Sequence, residues 1–208
     1  MAEDLPKDIQ DAADITAVTQ LILRERESRD LARWDTMRDC FWPDSLVRVS
    51  WFQGSGPDFV TGSIDMARRG IPAKHRLGPI LVTLAGHRAI ASLHGIIDLP
   101  VVLKGVSATL ATHARFLYRA EKRQDGWRVM GFDAIYMRDE LILAFPGQII
   151  SIDPVELVAF RKSYRLLSYY LQAQKYAVNA DLPGEDRPET STKLFEESFR
   201  WAGLDVPK

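Results

Sequence analysis

The fold class is decided by the stretch from Val106 to Tyr136, VSATLATHARFLYRAEKRQDGWRVMGFDAIY. Apolar and polar residues alternate over Val106–Arg119, a period of two that is typical of a β-strand with one apolar face. The pair Asp125-Gly126 is a strong hairpin signal, and it leads into a second strand-like run, Trp127–Tyr136. The stretch therefore predicts two antiparallel strands of one sheet.

Further strands are predicted on the N-terminal side of this hairpin. They cover residues 45–52, 75–84 and 89–97, and a tight turn joins the last two. A short helix over residues 64–69, with Ser63 as its cap, is expected after the first of these strands. Because the later connections are short, we expect a meandering antiparallel sheet.

Two short helices are predicted ahead of the first strand. Asp14 is expected to cap a helix that runs to about Arg29, because apolar residues follow it at helical spacing. A second helix is expected over residues 31–41 and ends before Pro43. The chain therefore begins with helices and continues with a sheet.

The C-terminal part returns to helical patterns. An apolar connector over residues 141–152 leads to Asp153 and Pro154, which are typical of a helix start. The apolar spacing predicts one amphipathic helix from Pro154 to about Leu171, and a final helix is predicted over residues 188–202.

The charge balance and the cysteine count exclude several kinds of partner. The chain has 27 Lys and Arg against 28 Asp and Glu, and a net charge of −1 argues against nucleic acid or an anionic membrane as the main partner. Cys40 is the only cysteine, which excludes an intrachain disulfide and a cysteine-based metal site. The start, MAEDLPKDIQ, does not resemble a secretion signal, and no apolar run is long enough to span a bilayer. We therefore expect a soluble, cytoplasmic protein.

Several common enzyme chemistries lack their sequence signatures. The chain has no HExxH, no Walker loop, no GxGxxG after a strand and no GxSxG elbow. We therefore expect acid–base catalysis without a metal or a cofactor, which needs a group that titrates near neutral pH. The candidates are the histidines at positions 75, 87, 94 and 113.

The four histidines differ in their expected surroundings. His87 lies in a turn and is expected at the surface, and His113 lies on the polar face of its strand, which predicts an outer or interface position. His94 shares a strand face with Ile90, so it is either a core residue or part of a pocket wall. His75 begins a strand and lies either at the rim of a pocket or exposed at the strand start.

Asp30 is the most informative acid. It follows Leu23 by seven residues and Ile22 by eight, so it lies on the helix side that otherwise buries aliphatic groups. A partly desolvated carboxylate at the C-terminal end of a helix has a raised pKa unless a cation or a hydrogen-bond donor offsets the effect. The alternative is that Asp30 caps the second helix.

The order of these features resembles the nuclear-transport-factor-2-like superfamily, and within it the SnoaL-like and scytalone dehydratase-like branch. The resemblance rests on Asp30 and Trp34-Asp35 at the joint of two helices, Trp51-Phe52 at a strand end, His75, and the hairpin Asp125–Trp127. It covers roughly residues 10 to 140. It implies an α+β fold in which a cone-shaped, curved antiparallel sheet packs on N-terminal helices and leaves one deep pocket.

The resemblance also implies a domain organisation and an assembly. The cone domain is expected over residues 10–150, with residues 151–208 as a helical extension that lids the cone, extends its core or swaps onto a neighbouring subunit. A homo-oligomer, either a dimer or a trimer built through the sheet, is implied as well.

The same resemblance assigns two catalytic roles. Asp30, in RDLARWD, and His75, in PAKHRLG, match an aspartate that orients a general-base histidine in the dehydratase-like members. Trp51 stands where the dehydratase has a water-positioning tyrosine, and Pro100 stands near its second histidine. An indole cannot act as an acid, so the dehydratase's substrate is not carried over.

The expected pocket is more apolar than that of the dehydratase, because Ala114 and Phe116 replace a polar pair. It suits a fused-ring, aromatic or terpenoid-like ligand. Aromatic residues at such spacings are also typical of plain core. The candidate substrate-binding residues are Trp34, Phe41, Trp51, Phe52, His94, Ala114, Phe116 and Phe132.

These features together predict a cofactor-independent lyase or isomerase that acts on an apolar cyclic small molecule, with Asp30 and His75 as its catalytic pair. Two alternatives stay open. One is a noncatalytic ligand-binding or assembly module of the same fold, and the other is the small subunit of a ring-hydroxylating oxygenase.

Overall fold

The computed structural model describes residues 6–124 and 126–206. Within these ranges the chain forms six α-helices and seven β-strands. The helices are α1 (Lys7–Asp30), α2 (Trp34–Asp39), α3 (Gly56–Arg68), α4 (Pro154–Val158), α5 (Arg165–Ala173) and α6 (Pro188–Ala202), and a 3-10 turn, Lys162–Tyr164, precedes α5. The strands are β1 (Phe41–Val49), β2 (Phe52–Gly54), β3 (Lys74–Leu77), β4 (Leu81–Ala85), β5 (Arg88–Leu103), β6 (Val106–Arg123) and β7 (Gly126–Leu143).

The strands form one sheet in the order β2-β1-β7-β6-β5-β3, and β4 also pairs with β5. Strands β5, β6 and β7 form the predicted antiparallel meander. Strand β1 differs, because it pairs with β7 in parallel. The long connection between these two strands, which contains α3 and β3 to β6, is of the kind that parallel pairing requires.

The long central strands are bent. Along β6 the pairing register with β7 shifts between His113 and Ala114 and again between Arg119 and Ala120. Such bulges bend a strand and increase its twist. The sheet is therefore curved, and the predicted α+β class, a curved sheet on N-terminal helices with a C-terminal helical extension, is confirmed.

Both faces of the sheet are covered. Because side chains alternate along β6, Phe116 belongs to the main core with Ile22 of α1, whereas Leu117 points to the other face. There Leu117 packs in a second cluster with Leu194 and Phe199 of α6. Helix α1 therefore lies on the concave side, and α6 lies on the outer side.

Helix α1 begins at Lys7, well before Asp14, so the prediction that Asp14 caps this helix is wrong. The carboxylate of Asp14 instead accepts hydrogen bonds from Lys122 Nζ at 2.7 Å and from Trp127 Nε1 at 2.8 Å. These contacts fix the helix to the β6–β7 hairpin. Asp125, half of the predicted turn of that hairpin, lies outside the described residues, and Gly126 has a φ of +100°.

Strand β1 and helix α3 begin earlier than predicted, whereas α2 is shorter than predicted and covers Trp34–Asp39. Strand β1 starts at Phe41 and contains Pro43, which lies where the pairing with β7 is irregular. Helix α3 starts at Gly56, where Ser55 Oγ accepts from the Asp58 N–H at 3.2 Å, whereas Ser63 is buried within the helix. Glycine and proline near the start of α3 make this stretch look like a loop in the sequence.

Two predicted elements are interrupted. The single strand expected over residues 75–84 divides into β3 and β4 at Gly78, whose N–H donates to the carbonyl of His94 at 2.8 Å. The single helix expected from Pro154 divides into α4, the 3-10 turn and α5. Asp139 of β7 caps the start of α5 by accepting from the N–H groups of Leu166 at 2.7 Å and Leu167 at 3.2 Å.

The extension packs against the chain's own sheet, with α5 at the concave side and α6 on the outer side. The final helix has the predicted bounds and ends at Gly203, which has a φ of +79°. Among the described residues, no helix combines the length and the apolar character needed to cross a membrane.

Candidate active site

A hollow lies between the concave face of the sheet and helices α1, α3 and α5. Its cavity volume is about 40 Å³, and the whole space between the lining atoms, with solvent at the mouth included, is about 520 Å³. Most of the wall is apolar, and its polar side chains are those of Arg26, Arg29, Ser50, His75 and Tyr136. An apolar hollow with a few polar groups is the usual form of a small-molecule site.

Asp30 and His75 form a hydrogen-bonded pair at this wall. Asp30 ends α1, and its Oδ1 lies 2.6 Å from Nδ1 of His75, the second residue of β3. Its other oxygen, Oδ2, accepts from the backbone N–H of His75 at 2.8 Å. The carboxylate therefore fixes both the position of the strand and the orientation of the imidazole. Asp30 does not cap α2, which begins after Arg33.

The pair lies at the boundary between the hollow and the surface. The side chain of His75 is 4% exposed and that of Asp30 is 17% exposed. Both residues also border a groove on the outside of the molecule, beside Leu23 and Leu77. His75 therefore lies at the rim of the pocket and is not exposed at the start of its strand.

The pKa values of the pair are shifted in the same direction. Burial lowers the pKa of His75 to about 4, and the nearby charges of Arg26 and Arg29 also lower it, against the effect of Asp30. Burial alone would raise the pKa of Asp30, but its hydrogen bonds with His75 and the charge of Arg26 outweigh burial and lower it. At neutral pH the pair is therefore a carboxylate and a neutral imidazole.

Arg26 lies beside the imidazole, and the carboxylate of Glu25 compensates its positive charge. Its Nη1 lies 3.4 Å from Nε2 of His75, and its Nε donates to Glu25 at 2.5 Å. Tyr118 donates its hydroxyl to the same carboxylate at 3.1 Å, and the guanidinium lies 4.9 Å from the centre of the Phe132 ring. Burial alone would lower the pKa of Arg26, but the charge of Glu25 raises it above its ordinary value.

Arg29 lies one turn further along α1, and its surroundings are different. The residue is 6% exposed and lines the hollow, but within the described ranges it forms no ion pair. Its Nη2 contacts the sulfur of Met66 at 3.4 Å, and the guanidinium lies 6.0 Å from the centre of the Trp51 ring. Burial, reinforced by the charge of Arg26, lowers the pKa of Arg29 to about 10.

Three of the candidate substrate-binding residues line the hollow, and five lie elsewhere. Trp51, Phe116 and Phe132 are on its wall. Among the other candidates, Trp34 lines a separate surface groove between α2 and α3, and Ala114 is buried in the core. These locations correct the expectation that all eight residues line one pocket.

The remaining candidates also lie outside the hollow, for physical reasons. Phe41 and Phe52 pack on the ring of Phe59, at centroid distances of 6.2 and 5.5 Å, and Phe59 itself lines the hollow. His94 alternates with Leu93, which belongs to the main core, so it lies on the outer face of β5. There its ring lies 5.6 Å from that of His113. His87 is exposed, as predicted.

The sequence reasoning missed several residues of the wall. Arg26 and Arg29 follow Ile22 by four and seven residues, so helical spacing alone places them on the buried face of α1. Phe59 was missed because α3 begins earlier than predicted, whereas Met66 lies within the predicted part of this helix, where one turn of apolar residues gave no sign of which face lines a pocket. Within the described ranges, no three His, Cys, Asp or Glu side chains form a cluster that could hold a metal ion.

A curved sheet that encloses an apolar hollow, with an aspartate–histidine pair at its rim, defines an α+β domain with a pocket of the form that small molecules usually occupy. The chain belongs to the SnoaL-like domain family, which matches residues 10–133. The resemblance to the SnoaL-like branch of the nuclear-transport-factor-2-like superfamily is thereby confirmed.

Individual proteins are similar to this chain in sequence or in fold. An uncharacterized protein of Aspergillus terreus (strain NIH 2624 / FGSC A1156) is 27% identical over 193 residues, covering 81% of this chain and 71% of that protein. An NTF2-like protein with a cystatin-like fold from Novosphingobium aromaticivorans superposes with a TM-score of 0.52 at 20% identity, over 64% of this chain and 90% of its own. A hexachlorocyclohexane dehydrochlorinase, LinA type 2, gives a TM-score of 0.57 at 14% identity, over 71% and 99%. At these identities the solved structures support the fold alone.

Proposed function

We propose that this chain is a cofactor-independent lyase or isomerase, of dehydratase or cyclase type, in which His75 removes a proton from an apolar cyclic substrate. The observation that carries the proposal is the 2.6 Å contact between Asp30 and His75 at the wall of an apolar hollow. A general base needs this kind of fixed orientation, and it needs access to a bound substrate.

In this proposal Nε2 of His75 is the nitrogen that acts. Because Asp30 accepts a hydrogen bond from Nδ1, the proton of the neutral imidazole lies on Nδ1 and the lone pair lies on Nε2. Nε2 takes the proton from a carbon next to a carbonyl or in an activated ring. In a lyase, the electrons left on this carbon expel a group from the neighbouring carbon. In an isomerase, the proton returns at a different carbon. The carboxylate of Asp30 stabilises the imidazolium in both cases.

The low basicity of His75 limits the substrates. A base with a pKa of about 4 removes protons only from C–H bonds that are already acidic. Nε2 must also exchange its 3.4 Å contact with Arg26 for the substrate. Arg26 keeps its ion pair with Glu25 when that contact is lost, so the exchange leaves no buried cation without a partner.

The wall of the hollow supports a cyclic ligand. Trp51, Phe116 and Phe132 line this space, and aromatic side chains pack well on flat, apolar rings. LinA, which shares the fold, is named as a hexachlorocyclohexane dehydrochlorinase, so this fold has carried an elimination on a ring compound.

Proton exchange in deuterated buffer tests the proposal without knowledge of the natural substrate. We would incubate the protein with 2-tetralone and 2-indanone, in which the C–H bonds between the aromatic ring and the carbonyl are already acidic, and follow loss of these protons by NMR. We expect exchange above the buffer rate in the wild type, and a decrease of about a hundredfold or more in His75→Gln. Asp30→Asn is expected to decrease exchange as well, because it changes the favoured tautomer of His75.

His87→Gln is the matched control, because His87 is exposed in a turn far from the hollow. It should exchange at the wild-type rate. Equal exchange in His75→Gln, Asp30→Asn and the wild type would contradict a role for the pair. Mass spectrometry of small molecules that copurify with the protein identifies further substrates. If such a ligand is released unchanged and no ketone exchanges, the chain is a noncatalytic binding module.

A further inference from the structure

We propose that Arg29 binds an ionised oxygen of the substrate, so that the hollow takes a cyclic carboxylate or another ring compound that carries an oxyanion. This inference rests on the proposed function only in placing the substrate in the hollow. It adds the chemical class of the ligand and a specificity residue on α1.

The first argument is the contrast between two neighbouring cations. Arg26 and Arg29 are three residues apart on the same face of α1, and both line the hollow. Arg26 has the carboxylate of Glu25 as its partner, whereas the described side-chain hydrogen bond of Arg29 is to the sulfur of Met66. A thioether is a weak acceptor and carries no charge. The hollow therefore contains one buried guanidinium that forms no ion pair with the described residues, although the charges of Glu25 and Asp30 are near enough to act on it.

The second argument is the cost of such an arrangement. A buried charge is unfavourable unless it is paired, and a guanidinium presents a planar fork of donors that matches a carboxylate. With Arg29 at 94% buried, water compensates its charge poorly. A ligand with an oxyanion satisfies the guanidinium, and the rest of a ring compound occupies the apolar wall.

The third argument comes from Trp51, which has a second polar neighbour. Besides the guanidinium of Arg29, the ring of Tyr176 packs on this indole with a centroid distance of 6.0 Å. The buried hydroxyl of Tyr176 has no hydrogen-bond partner within the described parts of the chain. The indole is therefore a neighbour both of the guanidinium of Arg29 and of a tyrosine ring whose hydroxyl lacks a hydrogen-bond partner among the described residues.

The position of Arg29 also couples ligand binding to the base. Arg29 is among the charges that lower the pKa of His75. An anion bound to the guanidinium neutralises this charge and so raises the pKa of the imidazole. A charged substrate would therefore increase the basicity of His75 when it binds.

Calorimetric titration with two pairs of ring compounds tests the inference. The probes are benzoate and benzamide, and 2-naphthoate and 2-naphthamide, each titrated into the full-length protein near neutral pH. We expect each carboxylate to bind at least about tenfold more tightly than its amide, because a charged hydrogen bond is the difference between them. Arg29→Met should abolish this preference, and Arg29→Lys should restore part of it. Arg200→Met, in which the exposed Arg200 of α6 is changed, should keep it.

Thermal unfolding separates a ligand-binding role from a structural one. Removal of an unpaired buried charge is expected to raise the Tm of Arg29→Met, whereas removal of a structural contact would lower it. Equal Kd values for carboxylate and amide, no carboxylate binding by the wild type, or an unchanged preference in Arg29→Met would each overturn the inference.

The two proposals can fail separately. His75→Gln should still prefer the carboxylates although it exchanges no protons. If carboxylate binding depends on Arg29 but neither the wild type nor any variant exchanges protons, the anion-binding role of Arg29 stands and the proposed catalytic activity is contradicted. If the wild type exchanges protons but binds carboxylates and amides equally, the catalytic activity stands and the anion-binding role of Arg29 is contradicted.

Discussion

Acidification is expected to lower the free energy of unfolding through His75. The folded pKa of His75 is about 4, below its ordinary value of 6.5, because burial favours the neutral ring. Between these two values the unfolded chain binds more protons than the folded one. The stability that depends on neutral His75 is therefore complete above about pH 6.5, and it is lost as the pH falls toward 4.

The size of the effect follows from the two pKa values. They differ by about 2.5, and a difference of one corresponds to about 1.4 kcal/mol, so the limiting loss is about 3 kcal/mol. At about pH 5, where Asp30 is still ionised, the loss is about 2 kcal/mol relative to about pH 7.5. This loss is large enough to measure in a domain of ordinary stability.

Urea unfolding at the two pH values measures this loss. Other groups titrate in the same range, so the quantity of interest is the difference between the wild type and His75→Gln. The wild type should lose about 2 kcal/mol more than His75→Gln, and His87→Gln should lose as much as the wild type. If the wild type and His75→Gln lose the same free energy, His75 titrates normally and is not buried as a neutral base.

Three further substitutions test the surroundings of the hollow, each by urea unfolding and by calorimetric titration of 2-naphthoate. Gly95→Ala places a methyl group against the ring of Phe116, so we expect a loss of about 1–3 kcal/mol and weaker binding; unchanged values would mean that the ring does not pack on this glycine. Asp139→Ala leaves the start of α5 without its acceptor and should cost about 1–3 kcal/mol and weaken binding, and equal stability would argue against this cap. Leu194→Ala should cost about 2–5 kcal/mol without a change in Kd, because Leu194 packs on the outer face; a loss of binding would mean that this face reaches the hollow.

The sheet was the most predictable part of the molecule, but its alternation does not identify the concave side. Phe116 and Leu117 are both buried, because α1 covers one face of the sheet and α6 covers the other. An apolar residue on either face therefore fits the same pattern. This ambiguity is the reason that His94, on the outer face, was placed in the pocket wall.

The pairing of Asp30 with His75 could not be obtained from local pattern. The two residues are 45 positions apart, and helical spacing left Asp30 with two possible roles. The resemblance to the family brought them together, and the observed contact agrees with it. The burial of Arg26 and Arg29, in contrast, follows from local pattern alone, because helical spacing places both residues on the buried face of α1. Charged residues usually lie outside, so composition alone would have placed them at the surface.

Helix α6 has a consequence for assembly. The resemblance implies a homo-oligomer built through the sheet, but Leu194 and Phe199 already occupy part of the outer face of β5, β6 and β7. A second copy that docks there would first have to detach this helix and would then compete with a segment tethered to the same chain. The tether keeps the effective concentration of α6 independent of dilution. The chain thus supplies its own substitute for a neighbouring subunit on the part of the sheet that α6 covers, and we expect any self-association to use the remaining surface.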